Sequence, residues 1–237
     1  EQVREELKRF QYLDVITPIE VSEWFALIVV AKKSNGEIRL CVDLRALNRA
    51  VVVDHHPIPN MMELLTLVGG AGIYSSLDLV SAYHQISLKE ECQEVTAFIT
   101  PFGTFKYKRM PFGLVSAASV FQRVMEKMLE GIEGVFCYQD DVLICGKTWE
   151  KHNNILRAVL QRMKESGLVL REEKCKFGVR EISYLGHLLT KEGIRPKPEM
   201  VKTIENLAVP VSKEEVMSYL GMLEFYGRFI PNLSKRT

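Results

Sequence analysis

The sequence lacks a long hydrophobic run, a paired-cysteine spacing and an excess of either charge. Every apolar stretch falls short of the ~18 residues that a membrane-spanning helix needs. The five cysteines are an odd number, and no C-x-x-C spacing among them indicates zinc. A net charge of +1 excludes both a protein that coats nucleic acid by bulk charge and an acidic disordered one. We therefore expect a folded intracellular protein, without membrane contact, whose cysteines are reduced.

The near-zero net charge conceals regions of opposite sign. Residues 50–100 contain six acidic residues and one lysine, whereas residues 147–181 contain nine basic and five acidic residues. Residues 30–49 hold five basic and two acidic residues. Because binding to a phosphate backbone requires only a local positive surface, this distribution is compatible with a nucleic-acid partner.

The hydrophobic pattern is that of an α+β protein with a mostly antiparallel sheet. Runs of strand length alternate with helical stripes, and no linker or repeat divides the 237 residues, so any subdomains are interleaved or tightly joined. Helix starts are indicated at Ser116, Thr148 and Ser212, the last with Glu215 as a capping-box partner. A hairpin turn is predicted at 34–36. The predicted strands are 26–33, 38–44, 73–79, 95–100, 134–139 and 142–146.

Three carboxylates stand at the ends of predicted strands. Asp140 and Asp141 lie between two apolar runs, where a tight turn presents at least one of them at the sheet edge, and Asp78 ends another strand. Each has a structural alternative, since Asp is a good turn former and Asp78 also suits a helix cap or a solvent-facing position. Together, with few basic residues nearby in the sequence, they favour Mg²⁺ or Mn²⁺, because oxygen ligands without His or Cys suit these ions. Two such ions would serve phosphoryl transfer.

Seven ordered sequence blocks extend this interpretation across nearly the whole chain. The central one is YQDD at 138–141, which lies between apolar strands and is preceded by LDLVSAYHQI at 77–86. With these blocks the chain resembles a reverse transcriptase of the Ty3/gypsy group of LTR retrotransposons and their retroviral relatives. The other blocks are KKSNGEIRLCVDLRALN (32–48), HPIP (56–59), TAFITPFGTFKYKRMPFGL (96–114), SVFQRVM (119–125), KCKFGVREISYLGHLLTKEGI (174–194) and FYGRFIPN (225–232).

The resemblance implies a right-hand polymerase fold. It has a palm with an antiparallel sheet packed on helices, a fingers subdomain and a truncated helical thumb. The expected fingers are residues 1–53 and 87–115, and the expected palm is 54–86 together with 116–198. Residues 199–237 would begin the thumb. The helix-rich tail carries basic side chains that would meet the duplex backbone; these are Lys197, Lys202, Arg228, Lys235 and Arg236.

The resemblance also implies roles for single residues. The catalytic carboxylates, which would bind two Mg²⁺ with Mn²⁺ as a substitute, are Asp78, Asp140 and Asp141. The residues expected to contact the deoxynucleoside triphosphate are Lys32, Arg39, Ser81, Ala82, Tyr83, Phe112 and Gln139. Those expected at the primer and template are Tyr138, Leu185, Gly186 and His187. Tyr83 would block the sugar 2′-oxygen, and Lys32 and Arg39 would close over the triphosphate. Without the resemblance, the basic hairpin would simply be exposed, the aromatics would pack in the core, and His187 would be structural.

The implied activity is RNA-directed DNA polymerisation on an RNA or DNA template with a primer, using deoxynucleoside triphosphates. An alternative is a catalytically weak or inactive module that binds nucleic acid or acts as a scaffold, because Gln139 replaces the small or aliphatic residue usual before the two aspartates. A metal-dependent phosphohydrolase explains the acids but not the hairpin that carries Lys32 and Arg39. We expect the chain to be part of a polyprotein with RNase H and integrase, located in a cytoplasmic retroelement particle or in the nucleus.

Overall fold

Seven α-helices and twelve strands in three sheets form the part of the chain that the structure describes, residues 1–32 and 36–229 of a computed structural model. The helices are α1 (Gln2–Tyr12), α2 (Arg45–Ala50), α3 (Met61–Val68), α4 (Ala117–Leu129), α5 (Trp149–Glu165), α6 (Pro198–Glu205) and α7 (Lys213–Tyr226). The strands are β1 (Ile16–Pro18), β2 (Ala26–Lys32), β3 (Ile38–Val42), β4 (Ile73–Asp78), β5 (Phe98–Thr100), β6 (Gly103–Tyr107), β7 (Val135–Tyr138), β8 (Asp141–Gly146), β9 (Lys176–Val179), β10 (Ile182–Tyr184), β11 (His187–Thr190) and β12 (Gly193–Pro196).

Some predicted features lie outside the described residues. These are the last residue of the first predicted strand (Lys33), most of the predicted hairpin turn (Ser34 and Asn35), the end of the FYGRFIPN block (residues 230–232), two tail cations (Lys235 and Arg236), and the side chain of Arg228.

A five-stranded sheet brings together two separate parts of the chain. Its strand order is β1-β6-β5-β2-β3, and its pairs are antiparallel except for β2 with β5. Helix α1 buries Leu7 and Phe10 in the same hydrophobic core as Phe98, Phe105 and Tyr107 of the sheet. The amphipathic helix therefore covers one face of this sheet.

A four-stranded sheet, in the order β7-β8-β4-β9, forms the centre of the molecule. Side chains alternate along β8: Val142 and Ile144 pack with α4 and α5, whereas Leu143 and Cys145 pack with α3 and β10. Because successive side chains of a strand point to opposite faces, a run of five buried residues fills two cores at once. The sheet is thus covered on both faces, and its functional groups are confined to its ends.

The third sheet, β10-β11-β12, packs beside the central one and carries the final helices. Ser212 caps the start of helix α7, because its side chain accepts a hydrogen bond from the amide of Glu215. The Glu215 carboxylate in turn accepts from the amide of Val211, so the predicted capping box closes one residue earlier than a standard one. Helix α7 places Phe225 and Tyr226 against His187 at the start of β11.

The six predicted strands all form, with ends shifted by up to three residues, and the mostly antiparallel α+β class is confirmed. Thr148 caps α5 as predicted, accepting from the amide of Lys151. Ser116 precedes α4 but makes no capping bond, because its hydroxyl accepts from the distant amide of Asp54 instead. All five cysteines are unpaired thiols, of which Cys137 and Cys145 are buried.

Candidate active site

Asp78 and Asp141 lie directly opposite one another on adjacent antiparallel strands, at the end of the β4–β8 ladder. Directly opposite residues project from the same face of a sheet, with Cα atoms about 4.5–5.5 Å apart. Asp140 is the second residue of the two-residue link between β7 and β8, where Tyr138 pairs with Asp141. The fold therefore brings the three predicted carboxylates to one end of one sheet.

The charge at this end is only partly balanced. Partial burial of the carboxyl group, followed by the negative charges of Asp140 and Asp78, raises the pKa of Asp141, although the residue as a whole retains solvent exposure. Arg171 Nε and Lys174 Nζ each lie 4.0 Å from a carboxylate oxygen of Asp78. Both cations come from a distant part of the sequence, so the fold adds positive charge to a site that has few basic residues nearby in the sequence.

The donor set has the chemistry of a divalent-cation site. Its three carboxylates offer only oxygen ligands, which suits Mg²⁺ or Mn²⁺. The pKa of Asp141 is raised by burial first and by the negative charges of Asp140 and Asp78 second, and a cation would relieve this like-charge repulsion. Within residues 1–32 and 36–229, however, no three His, Cys, Asp or Glu side chains are gathered closely enough to hold an ion. The ligand atoms are of the type that such an ion prefers, but in this structure the carboxylates do not converge on one point.

The backbone is strained where function was predicted. Of four non-glycine residues with positive φ in the described ranges, three are predicted site residues: Ser81 (φ 47°), Gln139 (φ 54°) and Leu185 (φ 45°). Left-handed backbone is unfavourable for residues with a Cβ and persists only where the surroundings hold it. At Gln139 the support is visible, since its amide donates to the buried side chain of Gln122 at 2.8 Å.

A cleft of about 700 Å³ opens between the five-stranded sheet and the carboxylate end of the central sheet. The predicted site residues that line it are Arg39, Asp78, Ser81, Ala82, Phe112 and Asp140. Arg171 and Lys174 line it as well, and both lie 4.0 Å from a carboxylate oxygen of Asp78. Lys32, at the end of β2, does not line it, and neither do Tyr83, Gln139 or Asp141.

An aromatic group borders the cleft beside the carboxylates. The Tyr83 ring lies 5.0 Å from that of Phe112 and 5.5 Å from that of buried Phe121. Burial and then the negative charge of Asp140 raise the pKa of Tyr83. His84 packs edge-on against Phe112 at 5.1 Å. Tyr83 is thus held between two rings at a position near Asp140.

Of the predicted primer-contacting residues, Leu185 and Gly186 form the tight turn between β10 and β11 and His187 begins β11, whereas Tyr138 lies at the end of β7. His187 is fully buried, and its Nδ1 lies 2.9 Å from the carbonyl oxygen of Leu185. The Tyr226 hydroxyl donates to the Gly186 carbonyl at 3.2 Å, and a Cβ at Gly186 would lie 3.0 Å from the Phe225 ring. His187 is therefore placed to support this turn, with α7 packed over it.

Sequence reasoning missed four residues that contact the site. Arg171 and Lys174 belong to a basic stretch of nine side chains, and of those nine these two line the cleft. The hydroxyl of buried Tyr184 donates to the Asp141 carbonyl at 3.3 Å. Gln122 lies on the buried face of α4, three residues before Met125, and this spacing was a signal that could have revealed it. The other three depend on pairings of distant segments.

Comparison with protein families matches residues 30–189 to the family described as reverse transcriptase (RNA-dependent DNA polymerase). The chain is 35% identical over 237 residues to the retrovirus-related Pol polyprotein from transposon 297 of Drosophila melanogaster, covering 98% of this chain and 22% of that protein. It is 32% identical over 212 residues to the transposon Tf2-3 polyprotein of Schizosaccharomyces pombe, covering 89% of this chain and 16% of that protein. The chain thus spans about a fifth of the length of these relatives.

Among solved structures, the fold is similar to that of a foamy viral protease-reverse transcriptase in complex with double-stranded DNA. The TM-score is 0.92 at 24% identity, and the match covers 99% of this chain and 41% of that chain. At this identity the likeness establishes the fold. Among the residues that the structure describes, no helix has the length and apolar character that a membrane crossing requires.

Proposed function

The chain belongs to the reverse transcriptase (RNA-dependent DNA polymerase) family, and from this premise we propose that it extends a primer on an RNA or DNA template with deoxynucleoside triphosphates. The observation that carries the proposal is the direct pairing of Asp78 with Asp141, with Asp140 in the adjoining turn, beside a cleft that Asp78, Asp140 and Arg39 line. Carboxylates facing cations across a cleft are what nucleotidyl transfer requires.

In this proposal the three aspartates would hold two Mg²⁺ ions, for which Mn²⁺ would substitute. When bound, these ions lower the pKa of the primer 3′-hydroxyl and stabilise the leaving pyrophosphate. Arg39 binds the triphosphate oxygens through its planar fork, and Lys32 reaches them when the hairpin closes. Asp140, exposed in its turn, is suited to meet a ligand without rearrangement of the sheet.

The sugar and base of the nucleotide would be positioned by the groups beside the carboxylates. Tyr83, held between the rings of Phe112 and Phe121, excludes a 2′-oxygen sterically. Ser81 and Ala82 supply the backbone next to it, and Gln139 touches the nucleotide and the primer terminus. The primer end itself is oriented by Tyr138 and by the turn that contains Leu185, Gly186 and His187.

We also propose the subdomain division that the resemblance implies. Strands from residues 1–53 and 87–115 form one five-stranded sheet, which supports their assignment as fingers. The central sheet and its helices draw on residues 54–86 and 116–198, which supports a palm. Residues 199–237 would begin the thumb, with α6 and α7 as its first helices.

The whole protein would be a polyprotein that also carries RNase H and integrase, acting in a cytoplasmic retroelement particle or in the nucleus. Support comes from the relatives, which are polyproteins several times longer than this chain. Template and primer as partners are supported by the printed descriptions of similar structures, in which foamy viral protease-reverse transcriptase is in complex with double-stranded DNA or an RNA/DNA hybrid.

A second candidate function is a catalytically weak or inactive module that binds nucleic acid. The observation that favours it is the position of Arg171 and Lys174, which lie against Asp78 while the carboxylates are not gathered around a common point. If these two cations kept Asp78 from binding an ion, the cleft would bind a primer–template without extending it.

Primer extension on an RNA template separates the two candidates. We expect the wild-type chain with Mg²⁺ to add deoxynucleotides, and Asp140→Asn to abolish addition without loss of folding or of primer–template binding. Asp14→Asn is the matched control, because Asp14 is exposed and pairs with Lys108 away from the cleft. Binding without addition in Mg²⁺ and in Mn²⁺ would favour the inactive module, and full activity in folded Asp140→Asn would contradict the catalytic assignment.

A further inference from the structure

We propose that Gln122 is a positioning residue for nucleotide addition, acting through the turn that carries Asp140. The proposal rests on the proposed polymerase function, but its structural part can be tested without activity. Gln122 lies on α4 with its side chain fully buried, and it has no expected contact with substrate. What it contacts is the backbone on both sides of the turn between β7 and β8.

Both the oxygen and the nitrogen of the Gln122 side-chain amide bond to the backbone at that turn. Its Oε1 accepts a hydrogen bond from the Gln139 amide at 2.8 Å, and its Nε2 donates to the Cys137 carbonyl at 3.0 Å. The two backbone groups flank Tyr138 and immediately precede Asp140. A single side chain therefore spans the residues that lead into the carboxylate pair.

The turn needs such support because Gln139 has a left-handed backbone with φ of 54°. A residue with a Cβ is disfavoured there, and the conformation persists when surrounding contacts over-determine it. If the bond from the Gln139 amide were lost, the link would relax toward ordinary backbone angles. Asp140, the next residue, would then turn away from Asp78 and Asp141.

A carboxamide is the group that this environment requires. Nε2 donates to a second acceptor, Oε1 of Glu126, at 2.8 Å, so Gln122 faces two acceptors and one donor. A glutamate of equal size would accept from Gln139 but would place its negative charge against the Cys137 carbonyl and Glu126. A leucine of similar volume would leave the buried backbone groups without partners, which is costly.

Glu126 in turn anchors this amide to the segment that leads into α3. Its Oε2 lies 2.7 Å from Nε2 of His56, and an ion pair of 2.8 Å joins Arg123 on the same helix to Asp54. Each contact fixes α4 against the 54–56 segment, and Glu126 also fixes the orientation of the Gln122 amide. The network thus extends from that segment to the residue before Asp140.

The catalytic part is tested by single-turnover nucleotide addition with Gln122→Glu and Gln122→Leu. For each variant the rate constant is determined separately from the reaction amplitude. A variant that is only less stable contains a smaller folded fraction, which lowers the amplitude and leaves the rate constant unchanged. The rate constant therefore reports positioning. We expect the rate constant to fall by roughly tenfold to a hundredfold, as the loss of a buried hydrogen bond at a positioned group would cause. The primer–template Kd should change less than twofold.

The matched controls are Gln161→Glu and Gln161→Leu. Gln161 lies on α5 and donates to Glu165 at 2.7 Å, an equivalent pair of residues four apart, but on the exposed surface and away from the turn. Both control variants should retain the wild-type rate constant. An unchanged rate constant in folded Gln122 variants, or an equal loss in the Gln161 variants, would overturn the catalytic part.

The structural part is tested by hydrogen exchange of the Gln139 amide, measured on the chain without substrate. We expect slow exchange in wild type and at least tenfold faster exchange in Gln122→Leu, with the core strand β4 unchanged. If both Gln122 variants fail to fold, Glu126→Leu, at a half-exposed position, removes one acceptor and should also accelerate exchange at Gln139. Unchanged exchange would refute the positioning role, whereas an inactive wild type with accelerated exchange would refute only the proposed polymerase function.

Discussion

The ring of Tyr83 lies 5.0 Å from the ring of Phe112, with the two planes tilted by 46°, at the border of the cleft that Asp78 and Asp140 line. Phe112 is 45% exposed and lines the cleft, whereas Tyr83 packs inward onto buried Phe121. The contact fixes the Tyr83 ring from the solvent side and from the core side. A ring that packs against two other rings in this way can act as a steric wall beside the cleft.

Replacement of Tyr83 by Val should therefore weaken sugar discrimination. We expect the ratio of kcat/KM for a deoxynucleotide over the matching ribonucleotide to fall by about tenfold or more, because the volume beside the sugar 2′-position opens. Tyr83→Phe is the control: it keeps the ring and should keep the ratio. An unchanged ratio in folded Tyr83→Val would show that the ring does not exclude the 2′-oxygen.

Arg171 should contribute to nucleotide binding. Its Nε lies 4.0 Å from Asp78 and the residue lines the cleft, so Arg171→Gln removes a positive charge that would face the triphosphate if the proposed function is correct. We expect KM for the nucleotide to rise by about three- to tenfold, in line with roughly 1 kcal/mol for a partly exposed charge pair, with a smaller change in kcat.

The control for this effect is Arg157→Gln, which removes an equal charge from exposed α5. Steady-state kinetics on one primer–template gives both constants. If Arg171→Gln instead lowered KM, Arg171 would be a competitor for Asp78 and not a contact of the triphosphate, and the inactive-module interpretation would gain support.

The contrast between Asp78 and Arg171 shows what sequence can predict in this chain. The strand that ends at Asp78 and the hairpin around Asp140 follow from short, largely apolar runs, which are typical of strands buried on both faces of a sheet. The three carboxylates could therefore be placed at strand ends before the structure was known. Their family context then indicated a common site.

What could not be predicted depends on contacts between distant segments. Arg171 reaches Asp78 because its own amide bonds to the Asp78 carbonyl at 2.8 Å, a pairing with no local signal. Ser116 was predicted to cap α4, yet its hydroxyl binds the amide of Asp54, because that partner comes from another part of the chain. Local rules identify a residue that can form a bond, and tertiary packing determines which bond forms.

Gly186 should be intolerant of a side chain. Its φ is 82°, and an added Cβ would lie 3.0 Å from the Phe225 ring, so Gly186→Ala combines backbone strain with a clash against α7. Gly131→Ala is a matched control, since Gly131 has φ of 79° and no atom within 4 Å of an added Cβ. We expect the control to cost about 1–2 kcal/mol of unfolding free energy and Gly186→Ala to cost at least about 1 kcal/mol more.

Denaturant unfolding measures both variants, and primer–template affinity adds a functional readout. Because the turn at Gly186 lies under α7, the Gly186 variant should also bind primer–template more weakly than the Gly131 variant. If both variants lost the same free energy of unfolding, the contact between the added Cβ and the Phe225 ring would have no measurable effect on stability.

Because of His84, the free energy of unfolding should fall as the pH decreases through the mildly acidic range. Burial, and secondarily the positive charge of Arg9, lowers the pKa of His84 to about 4, while the carboxylate of Glu6 acts weakly in the opposite direction. Its ring packs against Phe10, Tyr107 and Phe112. Protonation would place a charge among aromatic rings beside a guanidinium, so the folded state resists it.

The direction of the effect follows from proton binding. Below its ordinary pKa of 6.5 the histidine of the unfolded chain is protonated, while in the folded chain it stays neutral until about pH 4. The unfolded state therefore binds more protons in this window, and the free energy of unfolding falls as the pH drops. The full difference corresponds to about 3 kcal/mol at most.

The measurement is the free energy of unfolding by urea at pH 7, 6, 5 and 4 for wild type and His84→Asn. Carboxylates also titrate in this range, so the difference between the two proteins isolates the histidine. We expect wild type to lose more stability than His84→Asn between pH 6.5 and 4, whereas His55→Asn, at an exposed position, should follow wild type. Parallel curves for wild type and His84→Asn would show that the His84 ring is protonated as readily in the folded protein as in the unfolded chain.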